Sequence, residues 1–308
     1  MKRLQNKIAE SGLTLPVAVL FGLVVWLLAG LLTQRLWPQL VCFVASVCLL
    51  VELSNQNALL RIRSRMVSSV FVVLSSTVCF LFSSFTGGLV QLCFIAALLF
   101  LFQTYQDPQA VGRTFYAFLS VGLASMASAT TLYYVPLLWI LMATQLQSLS
   151  GRTCMASLIG LVTPYWFALL WLIYIQDFTP LAEHFSSLIF TLHLSPFTLP
   201  LGNILVYVFT LLLAAVGMVH FWHFSYEDKI RIRLLYGFFS TMTIFTLLLV
   251  VLQAQHYDVL MRIAFICASP LTAHVFTFTS SRLSNILFFV ALALAIALTT
   301  LNLITINF

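Results

Sequence analysis

The chain has 308 residues, of which only fourteen are Lys or Arg and eight are Asp or Glu. Charged residues make up 7% and hydrophobic residues 62% of the sequence, whereas soluble domains are about a quarter charged. A water-exposed fold cannot hide so much apolar surface, so the composition excludes a soluble globular protein. The net charge of +6 comes from basic residues in short gaps between apolar runs, which argues against a nucleic-acid partner.

Long apolar runs predict an all-α fold, because a membrane-spanning helix needs about 20 apolar residues. Runs of this length exclude a membrane barrel, whose strands are about half as long. We therefore predict a single integral-membrane domain over residues 1–308, a polytopic bundle with about eleven spans. The predicted spans are 16–34, 38–54, 67–86, 88–104, 114–129, 131–147, 154–176, 201–224, 234–254, 259–279 and 285–305.

The basic residues predict the orientation of these spans. All of the fourteen except Arg35 and Arg262 fall in alternate gaps, which the positive-inside rule assigns to the cytoplasm. The N-terminus is then inside and the C-terminus outside a bacterial inner membrane. Two spans rather than one long helix over 114–147 are required to keep Arg152 on the cytoplasmic side.

Two segments have further predicted roles. The span 114–129 carries small residues such as Gly122 and Ser125, which let helix backbones approach closely in lipid. The outer segment 178–193 repeats apolar residues at helical spacing after Thr179-Pro180, an N-cap followed by proline. It predicts a short amphipathic helix in the membrane interface.

Ionisable residues within spans are costly and are therefore candidates for a function. Arg262 lies one turn inside its span, and Asp258 precedes it by four residues, so the two side chains can pair. They form either a self-neutralised anchor or a site in which Arg262, with Arg35, receives a phosphate. Asp177, Glu183 and Asp258 are the acids on the same outer face, and each is a candidate catalytic base.

The cytoplasmic side offers two other candidates. The loop with Arg61, Arg63 and Arg65 is the densest cationic patch, suited to anionic lipid headgroups or to a partner protein. His220, His223 and Glu227 share a helix face at a spacing that metal ligands use, but neighbouring aromatic residues favour an interfacial belt. No Walker loop, GxSxG elbow or dinucleotide fingerprint is present, so we expect neither a cofactor nor a metal.

Residues 90–170 carry a resemblance to known families. The motifs are Leu98-Leu99-Phe100-Leu101-Phe102, Gln106-Asp107-Pro108, Gly122-Leu123-Ala124-Ser125, Leu132-Tyr133-Tyr134-Val135-Pro136 and Gly160-Leu161-Val162-Thr163-Pro164-Tyr165. This stretch resembles a family of polytopic inner-membrane proteins from Bacteroidota that has only a domain-of-unknown-function label. It is also similar to the middle helices of GT-C glycosyltransferases, which implies a polyprenyl-phosphate sugar donor, basic residues on its phosphate and an outer-face carboxylate base. Those enzymes place an acid in the first outer loop, where this chain has Gln34-Arg35-Leu36-Trp37-Pro38.

Three functions remain open from the sequence. The sharpest is a GT-C-like transferase of the cell envelope that uses a lipid-phosphate-linked sugar. A second is a non-catalytic membrane subunit or scaffold that holds membrane protein partners through the Arg61–Arg65 loop. A third is a small-solute transporter, for which Ser269-Pro270 marks a candidate break in a span.

Overall fold

A computed structural model describes residues 3–62, 64–186, 188 and 199–307. Arg63 and most of the predicted outer segment after Ser186 lie outside this range. Within it the chain folds into α-helices and short 3-10 turns. The α-helices are α1 (Leu4–Glu10), α2 (Thr14–Leu28), α3 (Trp37–Asn57), α4 (Met66–Ser76), α5 (Phe85–Phe102), α6 (Val111–Ala127), α7 (Tyr134–Thr144), α8 (Gly151–Ile175), α9 (Thr179–Ser186), α10 (Leu201–Phe224), α11 (Ile230–Leu252), α12 (Tyr257–Phe278) and α13 (Arg282–Asn307).

The lengths of these helices fit a multi-pass membrane protein. Among the described residues, seven helices are long and apolar enough to cross a membrane, namely α3, α5, α8, α10, α11, α12 and α13. An eighth is added if α1 and α2, bent by 89°, form one span. Met66–Ser76 and Ala129–Thr144 are apolar but shorter. The all-α class is confirmed, whereas a count of about eleven spans requires the shorter helices to cross as well.

The chain folds as two compact units, residues 1–85 with 195–308, and residues 86–194. In the first unit, α12 is the core helix, and every residue from Val259 to Thr277 is buried. It packs against α4, α10 and α11. The candidate break at Ser269-Pro270 is wrong, because α12 continues through Pro270 without interruption.

One end of the first unit gathers basic residues, and we call it the basic end. There the Arg231 guanidinium donates to Asn57 Oδ1 at 2.8 Å, which ties the start of α11 to the end of α3. The Tyr236 hydroxyl donates to the Leu59 carbonyl at 3.2 Å. Gln5 of α1 donates to the Ser284 hydroxyl at the start of α13, 3.2 Å away. Helix ends from both terminal portions of the chain therefore meet at this end.

The opposite end of this unit is joined by a separate set of contacts. Gln39, at the start of α3, donates to the Ser83 carbonyl at 3.2 Å, and Asn302, near the end of α13, donates to the Thr77 carbonyl at 2.7 Å. The Tyr257 hydroxyl donates to the Asn203 carbonyl at 2.9 Å. The chain therefore runs back and forth between two chemically distinct ends.

The small residues of the span 114–129 predicted a close helix contact, and in the second unit α6 packs closely along α8. A Cβ placed on Gly160 would lie 2.5 Å from the Phe115 carbonyl oxygen, and one on Gly122 would lie 2.7 Å from that of Leu161. Both neighbours are backbone atoms, so neither can move aside without separating the helices. The Tyr165 hydroxyl adds a 2.8 Å bond to Ser125 Oγ.

We predict that Gly160→Ala destabilises the protein by about 1–3 kcal/mol, because its methyl group overlaps the backbone of α6. Gly112→Ala is the matched control, since nothing lies within 4 Å of the added carbon. That variant should be neutral or slightly stabilising. Reversible unfolding in mixed detergent micelles measures both. Equal effects of the two substitutions would show that the close helix contact is absent.

Candidate functional site

The predicted outer pair forms as an ion pair within one helix. Arg262 Nε donates to Asp258 Oδ1 at 2.7 Å, and the two side chains are 9% and 27% exposed. A second guanidinium nitrogen donates to the Leu81 carbonyl, in the 3-10 turn that follows α4. Arg262 therefore hydrogen-bonds the backbone of the turn that follows the end of α4. Its positive charge is compensated by Asp258, as expected for a self-neutralised anchor.

The other predicted outer residues are divided between the chain's two units. Arg35 is exposed and has a φ of 53°, in the left-handed region, in the turn between α2 and α3. Asp177 and Glu183 are exposed and belong to the second unit. Asp177 Oδ1 accepts from the Thr179 amide at 2.9 Å, and hydrogen bonds from Thr179 lower the pKa of this carboxyl group.

Asp177 therefore acts as the capping group of α9. The sequence predicted Thr179 as the cap, but the helix already begins at Thr179 and the carboxylate two residues earlier accepts its amide. The predicted amphipathic helix over 178–193 is described from Thr179 to Ser186, with Glu183 on its exposed surface. Of its remainder only Leu188 is described.

The cationic loop makes a specific contact that sequence reasoning did not anticipate. Arg61 Nε donates to Asp228 Oδ1 at 2.7 Å, and its guanidinium carbon lies 4.7 Å from the centre of the Phe278 ring. Arg65 is half-buried at the start of α4, and Arg63 lies outside the described residues. Arg61 is therefore engaged within the protein.

Asp228 belongs to a buried polar array at the basic end. Its side chain is 1% exposed, and its second oxygen lies 3.1 Å from Nε2 of the fully buried His274. His274 Nδ1 lies 3.3 Å from Nδ1 of the half-buried His220. Three ionisable side chains thus form a hydrogen-bonded series from α12 to α10, here called the Asp228–His274–His220 array.

Sequence reasoning placed His220 on the cytoplasmic side with His223 and Glu227, and it did not pair His220 with His274. The pairs are separated by 46 and 54 residues, so no helical spacing reveals them. The sequence offered one signal for this array, a histidine within the apolar span 259–279. An ionisable side chain in lipid is costly unless it has a partner, so this histidine indicated a contact. Among the described residues no group of three His, Cys, Asp or Glu side chains could hold a metal ion.

The first unit also contains an apolar cavity of about 470 Å³. It lies among α1, α2, α4, α10, α12 and α13, and its lining includes Phe21, Val70, Phe209, Phe276 and Phe288. Four hydroxyl side chains also line it. Those of Thr14, Ser69 and Thr272 donate to backbone carbonyls, and that of Ser11 accepts the Leu13 amide. The cavity therefore presents hydrocarbon to a ligand.

Comparison of the chain with models of known protein families, with curated proteins and with solved structures finds no match. The site is accordingly interpreted from its own geometry.

We predict that Arg262→Leu and Asp258→Leu each destabilise the protein. Breaking a buried ion pair costs about 3–5 kcal/mol, and the partial exposure of Asp258 places these variants near the lower value. The double variant should cost less than the sum of the single variants, because it leaves no uncompensated charge. The unfolding free energies of the two single variants and the double variant, measured in detergent micelles, give the coupling free energy between Asp258 and Arg262.

Arg35→Leu is the control, since it removes an exposed cation and should change stability by less than about 0.5 kcal/mol. Strictly additive costs for Asp258→Leu and Arg262→Leu would contradict the anchor interpretation of this pair.

Proposed function

We propose that this chain is a multi-pass protein of the bacterial inner membrane that binds a lipid-linked phosphate. Eleven crossings, with the N-terminus inside and the C-terminus outside, are part of this proposal. Support comes from the first unit, in which α2, α3, α4, α10, α11, α12 and α13 run alternately between the basic end and the opposite end. In the second unit, the Gln106 amide donates to the Leu146 carbonyl at 2.8 Å, which joins two turns at one end of its helices.

The apolar cavity is the observation that carries the lipid proposal. Its volume of about 470 Å³ lies within the roughly 300–1,000 Å³ of ligand pockets. Three of its four lining hydroxyl groups already donate to backbone carbonyls and the rest of the lining is mostly apolar, so a sugar or another polar solute would lose most of its hydrogen bonds to water there. A hydrocarbon chain loses none, and it is the ligand class that this lining favours.

The charge around the cavity favours a phosphate headgroup. Ile8 and Met66 line the cavity, and their chain neighbours Lys7 and Arg65 carry positive charge. Lys7 and Arg65 both lie at the basic end. Here α1 meets the start of α4, because the Ser64 hydroxyl donates to the Ala9 carbonyl. A lipid with its chain in the cavity can place a phosphate near these cations, which attract anionic headgroups.

A lipid-linked phosphate agrees with the polyprenyl-phosphate substrate that the sequence resemblance implied. The proposed binding site, however, is the apolar cavity and not the outer residues that sequence reasoning named. The sequence assigned the phosphate to Arg262 and Arg35, whereas Arg262 is engaged by Asp258 and the Leu81 carbonyl. The transferase reaction, with Asp258, Asp177 or Glu183 as base, stays a prediction. A role as a scaffold or a transporter likewise stays open.

We predict that Ala18→Phe and Ala291→Phe reduce the amount of phosphate-bearing lipid retained through purification by about tenfold, which corresponds to 1.4 kcal/mol. Both alanines line the cavity, so the added ring occupies the space of the chain. Mass spectrometry of the purified protein measures retention. Adding back polyprenyl monophosphate or phosphatidylglycerol then distinguishes a lipid-linked substrate from an ordinary bilayer lipid.

Ala297→Phe is the matched control, because Ala297 is exposed on the same helix as Ala291. It should retain the wild-type amount. Lys7→Gln with Arg65→Gln should lower retention of the phosphate lipid and leave that of neutral lipids unchanged. Wild-type retention in the two cavity-filling variants, or equal retention of neutral and phosphate lipids by the wild type, would overturn the proposal.

A further inference from the structure

The Asp228–His274–His220 array connects four segments of the first unit. Asp228 lies in the turn between α10 and α11, His274 near the end of α12, and His220 near the end of α10. Arg61, from the loop between α3 and α4, holds the other oxygen of Asp228 at 2.7 Å. The turn, the loop and two helices are therefore joined through hydrogen bonds to ionisable groups.

The distance between the two imidazoles suits one hydrogen bond. Two ring nitrogens 3.3 Å apart attract each other when one carries a hydrogen and the other a lone pair, whereas two lone pairs at that distance repel each other. Asp228 is acceptor-only when ionised, so the His274 Nε2 that faces it carries a hydrogen. In the neutral ring, His274 Nδ1 is then the acceptor, and His220 Nδ1 is the donor.

Each carboxyl oxygen of Asp228 has a partner. Arg61 places a cation on Oδ1, and His274 donates to Oδ2. Tyr236, from α11, packs its ring 5.0 Å from that of His274, but its hydroxyl group donates to the Leu59 carbonyl. Phe221 and Phe278 surround the same imidazole with apolar rings. The proton between the histidines is thus the mobile element of the array.

We propose that the Asp228–His274–His220 array is a proton-binding relay at the basic end of the first unit. The half-buried His220 takes up a proton from the aqueous phase, which forms an N–H bond at its Nε2. Its Nδ1–H bond then breaks as that proton passes to His274 Nδ1. The result is a neutral His220 and an imidazolium at His274, hydrogen-bonded to the Asp228 carboxylate. One proton is gained, and no electron is transferred.

The array lies next to the apolar cavity along α12. Thr272 and Phe276, on the same helix, line the apolar cavity, while His274 between them contacts α10 and the α10–α11 turn. Chains of Asp and His side chains at membrane depth are a common feature of proton relays. This inference does not depend on the identity of the cavity's ligand.

Nitrogen-15 NMR of the full-length protein, labelled at histidine and held in lipid nanodiscs, tests the relay. At neutral pH we expect an Nε2–H tautomer at His274, an Nδ1–H tautomer at His220 and a coupling across the hydrogen bond between their Nδ1 atoms. As the pH falls from about 8 to 5, the two rings should change together and bind one proton as a pair.

Variants separate the members of the array. His220→Gln should abolish the coupling and leave the Nε2–H tautomer of His274, whereas Asp228→Asn should remove that tautomer preference. His223→Gln is the control on the same helix, because His223 is exposed, and it should leave both signals unchanged. An Nδ1–H tautomer at His274, a missing coupling, or two rings that titrate independently in the wild type would overturn the relay, and these readouts need no variant to fold.

Discussion

Lipid offers neither a hydrogen-bond partner nor a counterion, and this constraint governs the first unit. An ionisable side chain that the chain places within a span is costly unless the protein itself supplies its partner. The core helix α12 shows the consequence, since it is buried from Val259 to Thr277 yet contains both an arginine and a histidine. Arg262 is paired one turn from the start of the helix, and His274 one turn from its end. Ionic chemistry is thereby confined to the two ends.

The two faces of α12 contact different parts of the first unit. One face meets apolar side chains around the cavity, and the other meets the buried array through His274. A continuous helix through Pro270 links them, so a change in the hydrogen bonding of His274 acts on the element that also lines the cavity. One continuous helix therefore carries both a member of the buried array and part of the cavity lining.

Local sequence signals predicted what depends on local geometry. Apolar runs located the helical segments, and the spacing of four residues located the Asp258–Arg262 pair. Small residues predicted that α6 makes a close helix contact, but they did not identify α8 as its partner. The contact between Arg61 and Asp228 spans 167 residues, so it depends on packing that no periodicity encodes. The sequence did not reveal that α4 ends at Ser76, because apolar residues continue beyond that point. The carbonyl group of the next residue, Thr77, accepts a hydrogen bond from Asn302, far along the chain.

The paired ionisable groups define two ends of the first unit, which we expect to face opposite sides of the membrane. Single cysteines at Tyr226, beside the basic-end turn, and at Gln255, beside Asp258, test it in a background whose native cysteines are replaced by alanine. With a membrane-impermeant maleimide on intact spheroplasts, the account predicts labelling at position 255 and labelling at position 226 only after permeabilisation. Labelling of both positions from the same side would contradict it.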